Sequence, residues 1–164
     1  MVIERPEQLR PAIEQVWAWL AEVEDPEIPV ISVVDLGIVR EVAWLGDECV
    51  VTITPTYSGC PAMDAIRDEI RSTLAANGFE RAEVRTVLRP AWSSDWISAR
   101  GRERLRAFGI APPRPRGSLL SLAVPCPRCG SERTRLVSRF GSTACKAHRT
   151  CVDCGEPFDH FKCH

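Results

Sequence analysis

Apolar residues at Leu9, Ile13, Val16, Trp17, Leu20 and Val23 recur at intervals of three and four, which lays one apolar stripe along a helix. A start near Gln8 would make Pro11 tolerable, because the amide proline lacks belongs to the unpaired first turn. "DPEIP", residues 25–29, then stops the helix. Alternation takes over in residues 38–44 and 49–54, two runs joined by "LGDE", and predicts a β-hairpin. In the second run Cys49, Val51 and Ile53 share one face, so Cys49 reads as a core residue.

Helical spacing returns with Met63, Ile66, Ile70 and Leu74. Pro61 suits the first helical position and Gly78 the C-terminal cap. A third strand is expected in residues 82–89, then a short basic helix in 97–110 that Gly101 interrupts early. The order helix, strand, strand, helix, strand, helix predicts an α+β domain over residues 1–110. "APPRPRGS" opens a Pro/Arg-rich linker, residues 111–123, stiffened by its prolines. The remainder, residues 124–164, is too short to hold a hydrophobic core unaided and needs a staple.

Composition narrows the class. At 45% hydrophobic and 26% charged residues, the 164-residue chain is that of a soluble globular protein. No apolar run reaches the length of a membrane span, and Glu4 and Arg5 stand where a secretory signal would place its apolar core; the expectation is a cytoplasmic protein. Residues 1–110 carry 12 Lys/Arg against 18 Asp/Glu, while residues 111–164 carry 9 against 4. The cysteines are as uneven, two in the first stretch and six in the second, a crowding that in a cytosolic chain points to metal before disulfides.

The staple is in "CPRC" and "CVDC". Cys126 and Cys129, with Cys151 and Cys154, form two C-x2-C pairs separated by 21 residues. Two such knuckles complete a closed tetrahedral sulfur site of the structural zinc type, and a strand in "TRLVSRF" between them fits a zinc ribbon. Cys145, Cys163, His148, His160 and His164 are left over. Cys145 and Cys163 are candidates for additional ligands at a second metal or cluster site with Cys60, or for simple packing; Cys145 could also replace one of the four in the zinc set.

Cys60, in "TPTYSGCPAMDAI", sits where a strand gives way to a helix. A sulfur beside a helix N-terminus gains from the dipole and from unpaired amides, which favours thiolate, whereas Asp64 one turn on opposes it. A phosphatase-type loop needs an arginine after five residues, and Arg67 follows after six. A cysteine nucleophile wants a histidine base, yet every histidine lies in the last 17 residues. The chain therefore reads as non-catalytic, with Cys60 either a ligand or a buried corner residue. Glu24, Asp25, Glu27 and Asp35 could cluster as acid/base carboxylates, but Asp25 suits a turn before Pro26 and Asp35 with Gly37 an Asx-type turn, and nothing places a pair across a cleft. A nucleic-acid surface would draw on Arg100, Arg102, Arg104, Arg106, Arg114 and Arg116 with Phe140, Phe158 and Phe161, but acidic residues in the ribbon break that field.

"DPEIPVISVVDLGIV", "VTITPTYSGCPAMDAI" and "DWISARGRERLRAFGIAPP" resemble, in order and spacing, the small domain shared by cytosolic iron–sulfur assembly factors and their bacterial relatives. "FGSTACKA", the two knuckles and "EPFDHFKC" resemble one subgroup, the D proteins of bacterial phenylacetate degradation (PaaD). The resemblance implies a mixed α+β fold and an accessory, maturation role, with Cys60 at the position linked to iron–sulfur work. It implies as cofactors structural zinc and a transient iron–sulfur cluster or iron. The implied partners are phenylacetyl-CoA epoxidase components, the iron–sulfur reductase or the di-iron oxygenase, and general iron–sulfur assembly proteins. A structural subunit of that complex is the alternative and a nucleic-acid-binding ribbon the second. A homodimer through the helix bearing Trp17 and Trp19 is a further expectation.

Overall fold

In the computed structural model, which describes residues 10–114 and 123–163, α1 spans Ile13–Leu20. Gln8 and Leu9, where the apolar stripe would begin, lie outside the described residues, as do Arg116 and His164. Pro11 stands ahead of the helix and not within it: Ala12 is extended (φ −56°, ψ 144°) and forms the cap, so no helical hydrogen bond is lost to the proline. Val16 and Leu20 are fully buried.

The next segment adds to the sequence reading, which took residues 25–29 as a helix stop with a turn at Asp25 but placed no strands there. Glu24–Asp25 (β1) and Ile28–Ser32 (β2) pair antiparallel. Asp25 closes the turn, its Oδ1 accepting the amides of Glu27 at 2.8 Å and Ile28 at 2.9 Å. Pro26 and Pro29 hide this short hairpin from periodicity.

β3 (Val39–Leu45) and β4 (Glu48–Ile53) form the expected hairpin, and β5 (Ala82–Thr86) lies parallel to β4 on its other side. A parallel neighbour requires a crossover, supplied by α2 (Ala62–Ala76). Ile66, Ile70 and Leu74 of α2 share one core with Val16, Leu20, Cys49, Val51, Ile53 and Val84. Pro61 is the N-cap of α2, one position earlier than expected. At the far end Gly78 takes φ +91°, so that its amide reaches Ala75 O and that of Phe79 reaches Leu74 O, both at 2.9 Å.

After a short 3-10 turn, Ser94–Trp96, α3 runs unbroken over Ala99–Phe108. Gly101 does not interrupt it. A Cβ there would lie 2.9 Å from Ile31 Cδ1 and 3.0 Å from Asp35 O, so the glycine lets α3 approach β2 and the turn after it. Asp35, read from sequence as an Asx-type turn, docks this helix instead. Its Oδ1 accepts from Ser98 Oγ at 2.6 Å and its Oδ2 from Arg100 Nε at 2.9 Å. Gly101→Ala is expected to cost about 1–3 kcal/mol by overpacking; chemical denaturation would register it as a lower midpoint at unchanged slope.

The C-terminal sheet has the order β6-β9-β8-β7, from Ile110–Ala111 (β6), Thr134–Ser138 (β7), Lys146–Cys151 (β8) and Pro157–Phe161 (β9). Ala111, which composition assigns to the linker, pairs with His160 of β9. Phe161 is fully buried in the core of the first domain, its ring 5.8 Å from that of Trp92. No helix among the described residues is long and apolar enough to cross a membrane.

Candidate functional site

Two cysteine-bearing places stand apart. In the ribbon, each C-x2-C folds into a knuckle: Gly130 N donates to Cys126 O at 2.9 Å and Gly155 N to Cys151 O at 3.1 Å. Cys126, Cys129, Cys151 and Cys154 thereby meet, with all four sulfurs within 4.8 Å of one another. Cys126 Sγ lies 3.8 Å from Cys154 Sγ, and Cys129 Sγ 3.6 Å from Cys151 Sγ. Sulfurs placed about 2.3 Å from a tetrahedral zinc are separated by about 3.8 Å, so the four thiols fit that ion. The amides of Cys154 and Asp153 hold the Cys151 thiol down to about 7, while at Cys129 the Ser131 amide is outweighed by burial and the sulfurs of Cys151, Cys154 and Cys126, which push that thiol up to about 12, so the four thiols titrate as one group.

Cys145 and Cys163 are not part of this group. Cys145 is buried in the first domain's core, and exposed Cys163 places its sulfur 3.7 Å from Arg114 O. The described histidines have other uses. His148 Nδ1 lies 3.4 Å from Asp159 Oδ1, while burial, with Arg149 and Arg114, lowers His160 to about 4.

The second place is the corner around Cys60. Cys60 precedes the N-cap of α2 and is half-buried. Its amide reaches Tyr57 O at 3.2 Å, a turn for which Gly59 supplies φ +80°. Burial raises the thiol above its ordinary value; the Ala62 amide and the Thr56 hydroxyl bond the sulfur and oppose that, but Glu27 and Asp25 add negative charge nearby. The expectation of a helix-favoured thiolate is thus corrected: burial and two carboxylates outweigh the helix end. Asp64, one turn on, is engaged instead by Arg67 at 2.8 Å.

Asp25 is buried and Glu27 partly so, and both carboxyls are raised, first by burial. Tyr57 is pushed up to about 12 by burial and by the charges of Cys60 and Glu27. Beside this corner runs a groove of about 410 Å³ lined by Thr54, Thr56, Tyr57, Leu88 and Trp92. Thr54 Oγ1 is buried there without a hydrogen-bond partner among the described residues. Sequence reasoning singled out Cys60, Asp25 and Glu27 separately and missed Thr56 and Tyr57. Their signal was proximity to Cys60 within one turn.

Glu24 is exposed, and Asp35 belongs to the docking of α3. Of the basic residues and phenylalanines considered for a nucleic-acid surface, Phe158 and Phe161 are buried, Arg100 binds Asp35, and Arg102 donates to Ser94 O and Pro113 O, while Phe140 is exposed with Lys162 Nζ 5.1 Å from its ring centre.

An α+β domain with a cysteine at a strand-to-helix corner, joined to a four-thiol ribbon, defines the class. Residues 13–88 match the family described as iron–sulfur cluster assembly protein, and residues 111–162 the PaaD zinc beta ribbon domain. The chain is 48% identical over 155 residues to an Escherichia coli K12 protein named as a 1,2-phenylacetyl-CoA epoxidase subunit, covering 93% of this chain and 94% of that one. It therefore belongs to the PaaD family.

Its first part is also 36% identical over 87 residues to a Porphyromonas gingivalis W83 protein named Fe-S protein maturation auxiliary factor, covering 52% of this chain and 82% of that one. A Bacillus anthracis crystal structure described as a domain of unknown function, DUF59, superposes with a TM-score of 0.52 at 32% identity, over 56% of this chain and 89% of that one.

Proposed function

We propose that this protein is a non-catalytic accessory factor of aerobic phenylacetate catabolism that assists insertion of an iron–sulfur cluster, or of iron, into the phenylacetyl-CoA epoxidase system. The observation that carries the reading is the corner itself: a half-exposed thiol beside two carboxyls, a tyrosine and a threonine, with no histidine base among its described neighbours. Such a thiol is protonated at neutral pH, so an incoming cation must displace its proton, and the hold is weak enough to be passed on. The names of the relatives from E. coli and P. gingivalis support the pathway and the maturation role. Cys126, Cys129, Cys151 and Cys154 would hold a structural zinc that keeps the ribbon folded as a docking module, and the cytoplasm is the compartment we assign.

The test is Cys60→Ala in cells making the epoxidase components. The variant should fold as the wild type does by circular dichroism, while the cluster or iron content of the purified reductase and oxygenase falls several-fold. Full metal content and full epoxidase activity with Cys60→Ala would sink the reading. The E. coli relative's name, that of a component of the complex, favours a second reading, a structural role within it. It requires co-purification in fixed ratio whether or not Cys60 is present.

A further inference from the structure

β7 is the outer strand of the ribbon sheet: β8 lies on one side of it, and among the described residues no strand lies on the other. Alternate amides and carbonyls of an edge strand point away from its sheet, which leaves a row of donors and acceptors for another chain. The side chains do not hide that edge. Leu136 is 49% exposed, Val137 54% and Phe140, just past the strand, 70%, three large apolar residues within five positions. Single exposed apolar residues are ordinary, but consecutive ones at an unpaired edge are what sequences avoid unless something covers them.

The unmatched charges beside the edge have one sign. The ribbon's carboxylates are engaged: Glu132 by Arg114, Asp153 by Arg133, Glu156 by Arg128, and Asp159 by Ser142, His148 and Lys146. Arg135 and Arg139 have no carboxylate partner among the described residues. Lys162 places its ammonium on the Arg139 carbonyl at 3.3 Å and 5.1 Å from the ring centre of Phe140. A second copy of the chain does not fit this edge. The register shift between Leu136 and Ser138 puts a bulge in the middle of β7, and antiparallel pairing about Val137 would set Arg135 of one copy opposite Arg139 of the other. Both features guard the edge against itself and leave it open to a strand of opposite charge.

We propose that the outer edge of β7 is the ribbon's docking strand, and that it takes an extended segment of an epoxidase component in which aspartate or glutamate stands among apolar residues. This rests on the reading of the ribbon as a docking module and names the surface that docks. The partner's backbone continues the sheet by one strand beyond β7, its apolar side chains cover Leu136, Val137 and Phe140, and its carboxylates pair with Arg135 and Arg139. Leu136 and Val137 favour a protein over a nucleic acid, since aliphatic side chains neither pair with phosphate nor stack on bases as aromatic ones do.

Hydrogen exchange of the full chain, alone and mixed with the purified reductase and oxygenase components, reads the edge directly. In the free chain the outward amides of β7 should exchange freely while those facing β8 stay protected; the component that binds should protect the outward ones. Binding followed by titration calorimetry should weaken as salt rises. Arg135→Glu with Arg139→Glu should weaken it at least about tenfold, since facing like charges costs more than losing an exposed pair. Arg81→Glu with Arg104→Glu, the same change of charge at exposed positions of the first domain, should bind as the wild type does. Outward β7 amides already protected in the free chain, by a second copy or by another part of this chain, overturn the proposal, and so does undiminished binding by the β7 variant. No protection on adding either component overturns it too, as does protection by single-stranded DNA in their place. The wild-type exchange decides even where the β7 variant misfolds. Full metal content with Cys60→Ala beside an intact β7 complex would remove the insertion reading and keep the docking edge; the reverse result would keep the insertion reading alone.

Discussion

Cys151→Ser is expected to release the ribbon's zinc and to unfold β7 and β8. Apart from Phe161 and Cys145, which pack into the first domain, the ribbon's own buried cluster is small: Ala111, Val124, Cys126, Cys151 and Phe158. So few side chains cannot offset the entropy of ordering some forty residues. On the proposed structural role, zinc would supply the difference, apparent binding free energies in small zinc modules being about 10–16 kcal/mol at neutral pH. Wild type should carry one equivalent of zinc, Cys151→Ser little or none, and the amides of β7 and β8 should lose their exchange protection. α1, α2 and the β3-β4-β5 sheet should remain folded, with a lower midpoint because Phe161 leaves their core. Cys163→Ser, at an exposed thiol outside the four, should keep its zinc. Protected β7 and β8 amides in a metal-free Cys151→Ser protein would contradict the structural role.

The second large effect is expected at Asp35→Ala. Asp35 is 3% exposed and its carboxylate receives Ser98 Oγ and, in a forked pair, Arg100. These bonds attach the N-terminus of α3 to the turn after β2. Arg100 is largely exposed and can rehydrate, so the loss falls mainly on the charge-assisted bonds, on the order of 3 kcal/mol. Burial raises this carboxyl, but the bonds from Ser98, Arg100 and Ser32 prevail and hold it below its ordinary value. The unfolded chain therefore takes up the proton first. The contribution is fully present above the unfolded value of about 4 and is lost as pH falls through it toward the folded one. Urea unfolding across that range should show the wild type losing stability more steeply than Asp35→Ala, and the gap between them closing in acid.

What could be read from sequence was what is encoded locally. The stripe of α2, its proline before and its glycine after belong to one element, and each knuckle is one short motif, the two being brought together by the fold. Long-range geometry was not legible. Gly101 has the same letter whether it breaks a helix or lets one lie against Asp35 and Ile31. Asp35 spells a turn, yet its partners are 63 and 65 residues away. Cys145 offered no periodicity, and its burial depends on Phe161 docking beside Trp92. Lys146 gave no hint at all that an ammonium would be buried there. The sign of the Cys60 shift was missed for the same reason: burial by the folded chain raises it first, and the carboxyls that add to this come from the β1–β2 hairpin, some thirty residues earlier.

The pairing of Ile110 and Ala111 with β9 bears on how the chain can be handled. A fragment cut at the linker would keep β6 but strip it of its neighbour, and would bare Trp92 where Phe161 had covered it. Such a fragment should be sticky and prone to self-association. The isolated ribbon would in turn expose an aromatic anchor and an unpaired strand edge. The units of heredity and the units of cooperativity thus differ here, and deletion series should be scored for aggregation before any loss of activity is credited to a missing domain.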